Sequence, residues 1–261
     1  MESRISQAVV SRAEIMRGLR REVPFKVLKE YLARGRHVGM ISADQTVGFC
    51  TPGGGNLAPP VLDPPTERMI DLSDDLARGL IDAGQAVAVV RDCHPGPEEP
   101  WPDHCIIGSG EELLVPKLRW LEGRADVVIQ KDCIDAFVGS WVELEGESDR
   151  RFGSKVYYNS LLDWINDHEL ETVIWVGKCT DICVMQPALT LLSIRQRKMA
   201  PTLKDVVMYL PACTTYDLPR EVAVDQLGLA EDKSHPRDIT EYMALYFLAQ
   251  KGAILAEQII I

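Results

Sequence analysis

One cysteine of this chain stands where a catalytic nucleophile would. The segment 177–184, which ends in Cys183-Val184, directly follows the apolar run 172–176, so a buried strand is predicted to turn sharply into a helix there. Cys183 would then lie in the first helical turn, where unpaired backbone N–H groups and the helix dipole favour the reactive thiolate. The alternative is that Cys183 is a small buried apolar residue, as most free cysteines are.

A carboxylate and an ammonium group follow two other predicted strands. Asp44 comes after the stretch 37–43, and Lys131 comes after the stretch 126–130. A cysteine nucleophile needs a base that takes its proton and returns it to a leaving group, and Asp44 is the best candidate. Burial would have to raise the pKa of Asp44 for this role near neutral pH. Alternatively, Asp44 opens an Asx turn and Lys131 is a solvated strand end.

Asp92, His94 and His104 form a second group, with the chemistry of a metal site. Asp92 and His94 are two residues apart at the end of a predicted strand, so their side chains point to the same side, and His104 can reach them across a loop. One carboxylate and two imidazoles with open positions suit Zn²⁺ or Fe²⁺. Cys93 and Cys105 are alternative ligands, although extended backbone would point Cys93 away from its neighbours.

These side chains can meet only if the strands that precede them share one sheet. Short apolar segments alternate with helical patterns along the chain, and the predicted strands are 37–43, 86–90, 126–130, 172–176 and 205–210. This alternation is typical of a three-layer α/β fold whose mostly parallel sheet is covered by helices on both faces. Ligands bind such sheets beyond the carboxyl ends of the strands, and four of the five predicted strand ends carry ionisable residues.

The composition narrows the class of protein. The 261 residues, 46% of them hydrophobic, suffice for one large domain, and the net charge of −11 argues against binding to nucleic-acid backbones. No apolar run approaches the roughly 18 residues of a membrane span, and no signal peptide is recognisable, so we expect a cytoplasmic protein with no membrane partner. Seven cysteines suit free thiols in a reducing compartment.

Two regions are predicted along the chain. Residues 1–36 are expected to form a helical extension, with one or two amphipathic helices up to Leu32 that are broken near Pro24, and residues 37–261 the α/β domain. A last helix is expected after Pro236, and another over 158–168. The extension could serve as an oligomer interface or as a lid.

Several ordered motifs resemble those of the isochorismatase-like cysteine hydrolases, and within them the plant-type nicotinamidases. The resemblance runs from about His37 to the C-terminus and rests on the segments 43–50, 56–59, 92–94, 102–108, 131–135, 179–184 and 203–219. It implies a parallel sheet of about six strands and a catalytic triad of Asp44, Lys131 and Cys183. These are the residues that the strand ends also select.

The resemblance also implies a reaction, the hydrolysis of nicotinamide to nicotinate and ammonia in NAD salvage and pyridine nucleotide biosynthesis. Cys183 would form a thioester, and Asp44 would act as the base. The backbone N–H groups of Cys179 and Cys183 would form the oxyanion hole, with a cis peptide bond before Cys179. By the same resemblance, Phe49 and Trp101 would pack against the pyridine ring.

A metal and a homo-oligomer are implied in the same way. Asp92, His94 and His104 would hold a divalent ion that accepts the pyridine nitrogen, with Zn²⁺ expected first and Fe²⁺ or Mn²⁺ as alternatives. Lys178 departs from the family pattern, which often has a small apolar residue there. Pro187 is expected to kink the helix just beyond Cys183.

Two other functions are compatible with the same scaffold. A relative that hydrolyses another small amide, of the ureido, carbamoyl or maleamate type, would use the triad without the three metal ligands. A non-catalytic binding protein would be expected to lack a member of the triad, whereas Asp44, Lys131 and Cys183 are all present.

Overall fold

The computed structural model, which describes residues 11–97, 102–149 and 154–261, contains a six-stranded parallel sheet. The strands in chain order are β1 (Tyr31–Leu32), β2 (Val38–Ala43), β3 (Ala86–Asp92), β4 (Val127–Lys131), β5 (Trp141–Asp149), β6 (Ser154–Asn159), β7 (Thr172–Lys178), β8 (Asp205–Thr214), β9 (Ile254–Ala256) and β10 (Ile259–Ile260). The large sheet has the order β4-β3-β2-β7-β8-β9, and each neighbouring pair is parallel.

Helices cover both faces of this sheet. They are α1 (Arg12–Glu22), α2 (Val47–Cys50), α3 (Pro64–Asp82), α4 (Ser160–Asp167), α5 (Met185–Gln196) and α6 (Arg237–Gln250). One face packs against α3 and the other against α4, α5 and α6. All six residues of β2 are buried, as expected for a strand covered on both faces. The predicted three-layer α/β fold is thus confirmed. Among the described residues, no helix combines the length and apolar character needed to cross a bilayer.

The strand order reverses between β2 and β7. From β2 the chain proceeds to β3 and β4 on one side, and from β7 to β8 and β9 on the other. At such a switch point, the loops that leave neighbouring strands diverge and open a crevice beyond their carboxyl ends. The residues that follow β2 and β7 are therefore the ones that the fold brings to a binding crevice.

The N-terminal segment is only partly helical. Ser11 and Glu14 form a reciprocal capping box that starts α1, and this helix ends before Pro24. The second predicted helix, up to Leu32, is wrong, because the chain there pairs as β1 with β10. The expectation for residues 1–10 lies outside the described residues.

The strands β5 and β6 form an antiparallel hairpin that the sequence pattern did not reveal. Tyr158, predicted to start a helix, pairs in this hairpin with Val142, and the helix begins at Ser160. The aromatic residues before Ser160 favour a strand, but the helical spacing that follows masked this signal.

Candidate active site

Asp44 and Lys131 meet in the interior, at the carboxyl ends of β2 and β4. Asp44 has a left-handed backbone conformation with φ of 50°, which aspartate adopts more readily than most residues. Its N–H donates to the carbonyl oxygen of Val90 at 2.9 Å. The Nζ atom of Lys131 lies 3.0 Å from Oδ2 of Asp44. Both side chains are fully buried, so Lys131 is not a solvated strand end.

Cys183 belongs to a π-helical turn, Thr180–Val184, which connects β7 to α5. We call this segment the nucleophile turn. The thiol of Cys183 lies near enough to Asp44 and Lys131 to perturb the titration of both groups. The fold therefore brings together the carboxylate, the ammonium group and the thiol that the sequence separates by more than fifty residues each.

Burial is the largest influence on the pKa values of Asp44 and Cys183. It raises the pKa of Asp44, which Lys131 lowers in part and Asp92 raises further. Burial also raises the pKa of Cys183 well above its usual value, against the opposing charge of Lys131. The direction of this shift favours the protonated thiol over the thiolate expected at a helix terminus, since desolvation opposes the charged form and the α-helix begins only at Met185. A thiol with a raised pKa therefore lies next to a carboxylate that could act as its base.

Lys131 retains its charge in the same environment. Burial alone would lower its pKa, but the negative charges of Asp44 and Asp92 raise it well above the usual value. A buried ammonium group with this many acceptors is fixed in position and orients the carboxylates around it.

Asp92, His94 and His104 are buried and converge on one point, with their ligand atoms within 4.8 Å of one another. Oδ2 of Asp92 lies 3.0 Å from Nε2 of His94 and 3.2 Å from Nε2 of His104. The Nδ1 atom of His104 donates to the carbonyl oxygen of Pro102 at 2.7 Å, a contact that leaves Nε2 as the ligand atom. One carboxylate and two imidazole nitrogens fit a divalent transition-metal ion.

The two groups of residues share Asp92. Burial would raise the pKa of its carboxyl, but His104 and Lys131 lower it well below the usual range. Cys93 and Cys105 are not part of the cluster. The Sγ atom of Cys105 instead lies 3.6 Å from Thr46 Oγ1.

A cavity of about 430 Å³ opens beside His94, lined also by Pro95, Gly96, Pro97 and Asp132. The half-buried ring of Phe49 lies near the histidine cluster, with its centroid 5.5 Å from that of His104. Trp101, the second predicted ring contact, lies outside the described residues. The cavity has the size of a small-molecule site.

The backbone after β7 has the predicted special geometry. The peptide bond between Lys178 and Cys179 is cis. Lys178 is buried and its Nζ donates to Thr66 Oγ1 at 3.1 Å, so it is directed toward α3. Pro187 is the third residue of α5, a position where proline needs no hydrogen bond within the helix. The change from a π-helical turn to an α-helix lies between Cys183 and Pro187, and the kink expected at Pro187 stays a prediction.

Two residues near the nucleophile turn were not selected from the sequence. Nε2 of His235 lies 2.7 Å from Oδ2 of Asp181, and Thr180 Oγ1 donates to Oε1 of Glu241 at 2.8 Å. Nothing local in the sequence marks His235 or Glu241, because neither lies within a motif or at the end of a predicted strand.

A parallel sheet with a partly buried cysteine and a buried aspartate and lysine beyond its switch point is the arrangement of an α/β cysteine hydrolase. The chain belongs to the isochorismatase family, since residues 40–194 match the isochorismatase domain. It is 38% identical over 231 residues to Nicotinamidase 1 of Arabidopsis thaliana, covering 87% of this chain and 88% of that protein.

Solved structures share the fold. A nicotinamidase from Bacillus subtilis superposes with a TM-score of 0.58 at 19% identity, covering 85% of this chain and 99% of that one. The pyrazinamidase of Pyrococcus horikoshii in complex with zinc gives a TM-score of 0.53 at 18% identity, covering 84% and 98%. The family membership, the fold and the hydrolase class predicted from the sequence are confirmed.

Proposed function

We propose that this protein is a nicotinamidase, an amidohydrolase that converts nicotinamide to nicotinate and ammonia. The observation that carries the proposal is that Lys131 contacts both Asp44 and Asp92. It thereby joins the candidate catalytic residues, Asp44 and Cys183, to the candidate metal ligands, Asp92 and the two histidines. The identity of 38% to the Arabidopsis thaliana nicotinamidase over 88% of its length supports the choice of substrate.

In the proposed reaction, Asp44 removes the thiol proton of Cys183 as its sulfur attacks the amide carbon. The raised pKa of Asp44 suits this exchange, since it brings the acidity of the carboxyl closer to that of the thiol. The carbon–nitrogen bond then breaks, and Asp44 returns the proton so that ammonia leaves. Asp44 next activates a water molecule, which hydrolyses the thioester and releases nicotinate.

Lys131 and two backbone groups would stabilise the charges that develop. The ammonium group of Lys131, 3.0 Å from Asp44, holds the carboxylate in position and limits the cost of its negative charge. The N–H groups of Cys179 and Cys183 would donate to the oxyanion that forms on the amide oxygen.

Asp92, His94 and His104 would hold a divalent metal ion, for which we favour Zn²⁺ over Fe²⁺ or Mn²⁺. The donor set fits such an ion, and the zinc complex of the Pyrococcus horikoshii pyrazinamidase supports the choice. When bound, the metal would accept the pyridine nitrogen and so orient the ring. Phe49 and Trp101 would pack against the ring from the sides.

The state of the cysteines bears on the compartment in which the enzyme would work. All seven cysteines lie within the described residues, and each is unpaired there, which supports a reducing compartment such as the cytoplasm. We also propose a homo-oligomer, and a hydrolase domain over residues 37–261 that is preceded by an N-terminal extension over residues 1–36.

The proposal is tested by ammonia release from nicotinamide, with metal quantified on the same sample. We expect turnover in the purified protein and none in Cys183→Ala, which should still bind nicotinamide. Cys213→Ala, which removes a buried thiol outside the proposed site, is the control and should retain turnover. Turnover in Cys183→Ala would contradict the assignment of the nucleophile, and release from ureido amides alone would favour the alternative substrates.

A further inference from the structure

We infer that His235 and Glu241 are positioning residues that hold the nucleophile turn in place for Cys183. The inference rests on the proposed function, because it assigns these residues to the reaction that Cys183 would carry out. Neither residue lies among the proposed catalytic or metal-binding residues.

Two consecutive residues of the turn are held by one neighbouring segment. Thr180 donates to Glu241 at 2.8 Å, and Asp181 lies 2.7 Å from His235. These contacts are shielded from water: Thr180 is fully buried, and the side chains of Asp181 and His235 are 8% and 13% exposed. Cys183 follows two residues after the second contact, so a displacement of Asp181 would move the thiol directly.

The internal hydrogen bonds of the turn do not fix its position relative to Asp44. The N–H groups of Ile182 and Val184 both donate to the carbonyl oxygen of Cys179, each at 3.1 Å. Such wide turns are uncommon and occur mainly at functional sites. Because both bonds end on the same carbonyl, they close the turn on itself. The pairing of Gly177 with Ala43 and Cys213 anchors the start of the turn to the sheet, and the side-chain contacts of Thr180 and Asp181 add a second attachment nearer Cys183.

The imidazole of His235 is itself held firmly. Its ring stacks on that of Tyr216 with centroids 3.9 Å apart, and its Nδ1 atom donates to the carbonyl oxygen of Tyr216 at 3.1 Å. The backbone of His235 also exchanges two hydrogen bonds with Leu218, at 2.7 and 2.8 Å. Nε2 is thereby directed at Asp181, and the pair connects the nucleophile turn to the chain that follows β8.

The charge on this contact depends on pH. Burial opposes protonation of His235, but the hydrogen bond and charge of Asp181 raise its pKa above the usual value. Burial of Tyr216 raises the pKa of its phenol to about 12, so this ring stays neutral. Arg237 and Glu241 on α6 also carry charge near this contact. Arg237 in turn pairs with Asp63 at 2.7 Å, and its backbone N–H donates to Asp217 at 2.9 Å. The ion pair is therefore complete at low pH and is lost as the pH rises through the folded pKa of His235.

The test compares His235→Gln with His168→Gln. His168 forms a second histidine–aspartate pair, with Asp126 at 4.0 Å, but both side chains are well exposed. For His235→Gln we expect a fall in kcat of about 10- to 100-fold with little change in KM, since small displacements of reacting groups have effects of this size. We expect no change for His168→Gln.

Two further readouts separate positioning from simple loss of stability. The ratio of wild-type to His235→Gln kcat should fall as the pH rises from about 6 to about 9, because the wild-type ion pair is then lost. Iodoacetamide should label Cys183 faster in the variant, as followed by peptide mass mapping, while labelling of Cys133 stays unchanged.

The contact between Thr180 and Glu241 is tested by two variants. Glu241→Gln keeps an acceptor for Thr180 and should retain kcat, whereas Glu241→Ala removes the acceptor and should lower kcat.

The inference is overturned by any of three results. These are an unchanged kcat and labelling rate in His235→Gln, a loss of kcat that is the same at every pH, or equal activity in the two Glu241 variants. A wild-type protein that releases no ammonia would contradict the proposed function instead. The labelling of Cys183 needs no substrate, so it would still decide the inference.

Discussion

Lys131 and Asp92 are joined by a 2.6 Å hydrogen bond in the interior of the protein. Through it, the proposed catalytic residues and the proposed metal ligands form one network: Oδ1 of Asp92 accepts from Lys131, while Oδ2 faces the two histidines. Lys131 is therefore the single buried cation shared by Asp44 and Asp92 in this part of the described structure.

Lys131→Met should abolish ammonia release and destabilise the fold. It leaves two buried carboxylates without their shared cation, and breaking a buried ion pair in this way costs about 3–5 kcal/mol. Urea denaturation measures the change. Lys117→Met is the control, because Lys117 and its partner Asp71 are exposed, and it should leave the free energy of unfolding almost unchanged. Equal stability of the two variants would contradict the account of Lys131.

His94→Ala should release the metal. The remaining carboxylate and imidazole are too few ligands for a tight site, so the metal content should fall from about one ion per chain to almost none. Elemental analysis after gel filtration measures this without reference to activity. His168→Ala, which removes an exposed imidazole, should keep its metal. A full complement of metal in His94→Ala would exclude this residue as a ligand.

The activity should have an acid limb that reports Asp44. Burial raises the pKa of Asp44, so kcat/KM should fall as the pH decreases through a value above the usual ~3.9 of aspartate. The same raised pKa means that the contribution of Asp44 to stability is full at low pH and is lost as the pH rises through the folded value. A pH–rate profile, with circular dichroism at each pH, measures the limb. Constant activity down to the pH of acid unfolding would show that Asp44 is not the base.

Gly177→Ala should lower ammonia release because it would displace the backbone that positions Asp44 and Cys183. Gly177 has φ of 126°, and a Cβ atom there would overlap the carbonyl oxygen of Ala43, the residue before Asp44. Overpacking of this kind costs about 1–3 kcal/mol, and it would separate β2 from β7 where Asp44 and Cys183 meet.

Gly18→Ala is the matched control for this substitution. Gly18 lies within α1, and a Cβ atom there meets nothing within 4 Å, so stability should rise by about 0.5–1 kcal/mol. Thermal melts and ammonia release on both variants make the comparison. Normal activity in Gly177→Ala would contradict the proposed close approach of the two strands.

The local pattern of the chain predicted the residues that the site contains. Apolar runs of five to seven residues mark buried strands because a parallel strand covered on both faces excludes polar side chains. Asp44 and Lys131 directly follow such runs and are therefore recognisable as strand ends, and Cys183 lies in the turn that follows the run 172–176. Asp92 and His94 are recognisable as a pair because extended backbone points alternate side chains to one side.

Properties that depend on distant contacts were decided only by the tertiary structure. His235 and Glu241 contact the nucleophile turn across long sequence separations, and nothing near them in the chain encodes those partners. The raised pKa of Cys183 is a similar case: a helix terminus suggests a thiolate, but burial by the surrounding elements disfavours the charged form. The residue types and the strand ends can be read from short stretches of the sequence. The desolvation of Cys183 and the contacts that fix the nucleophile turn arise only when distant parts of the folded chain surround these residues.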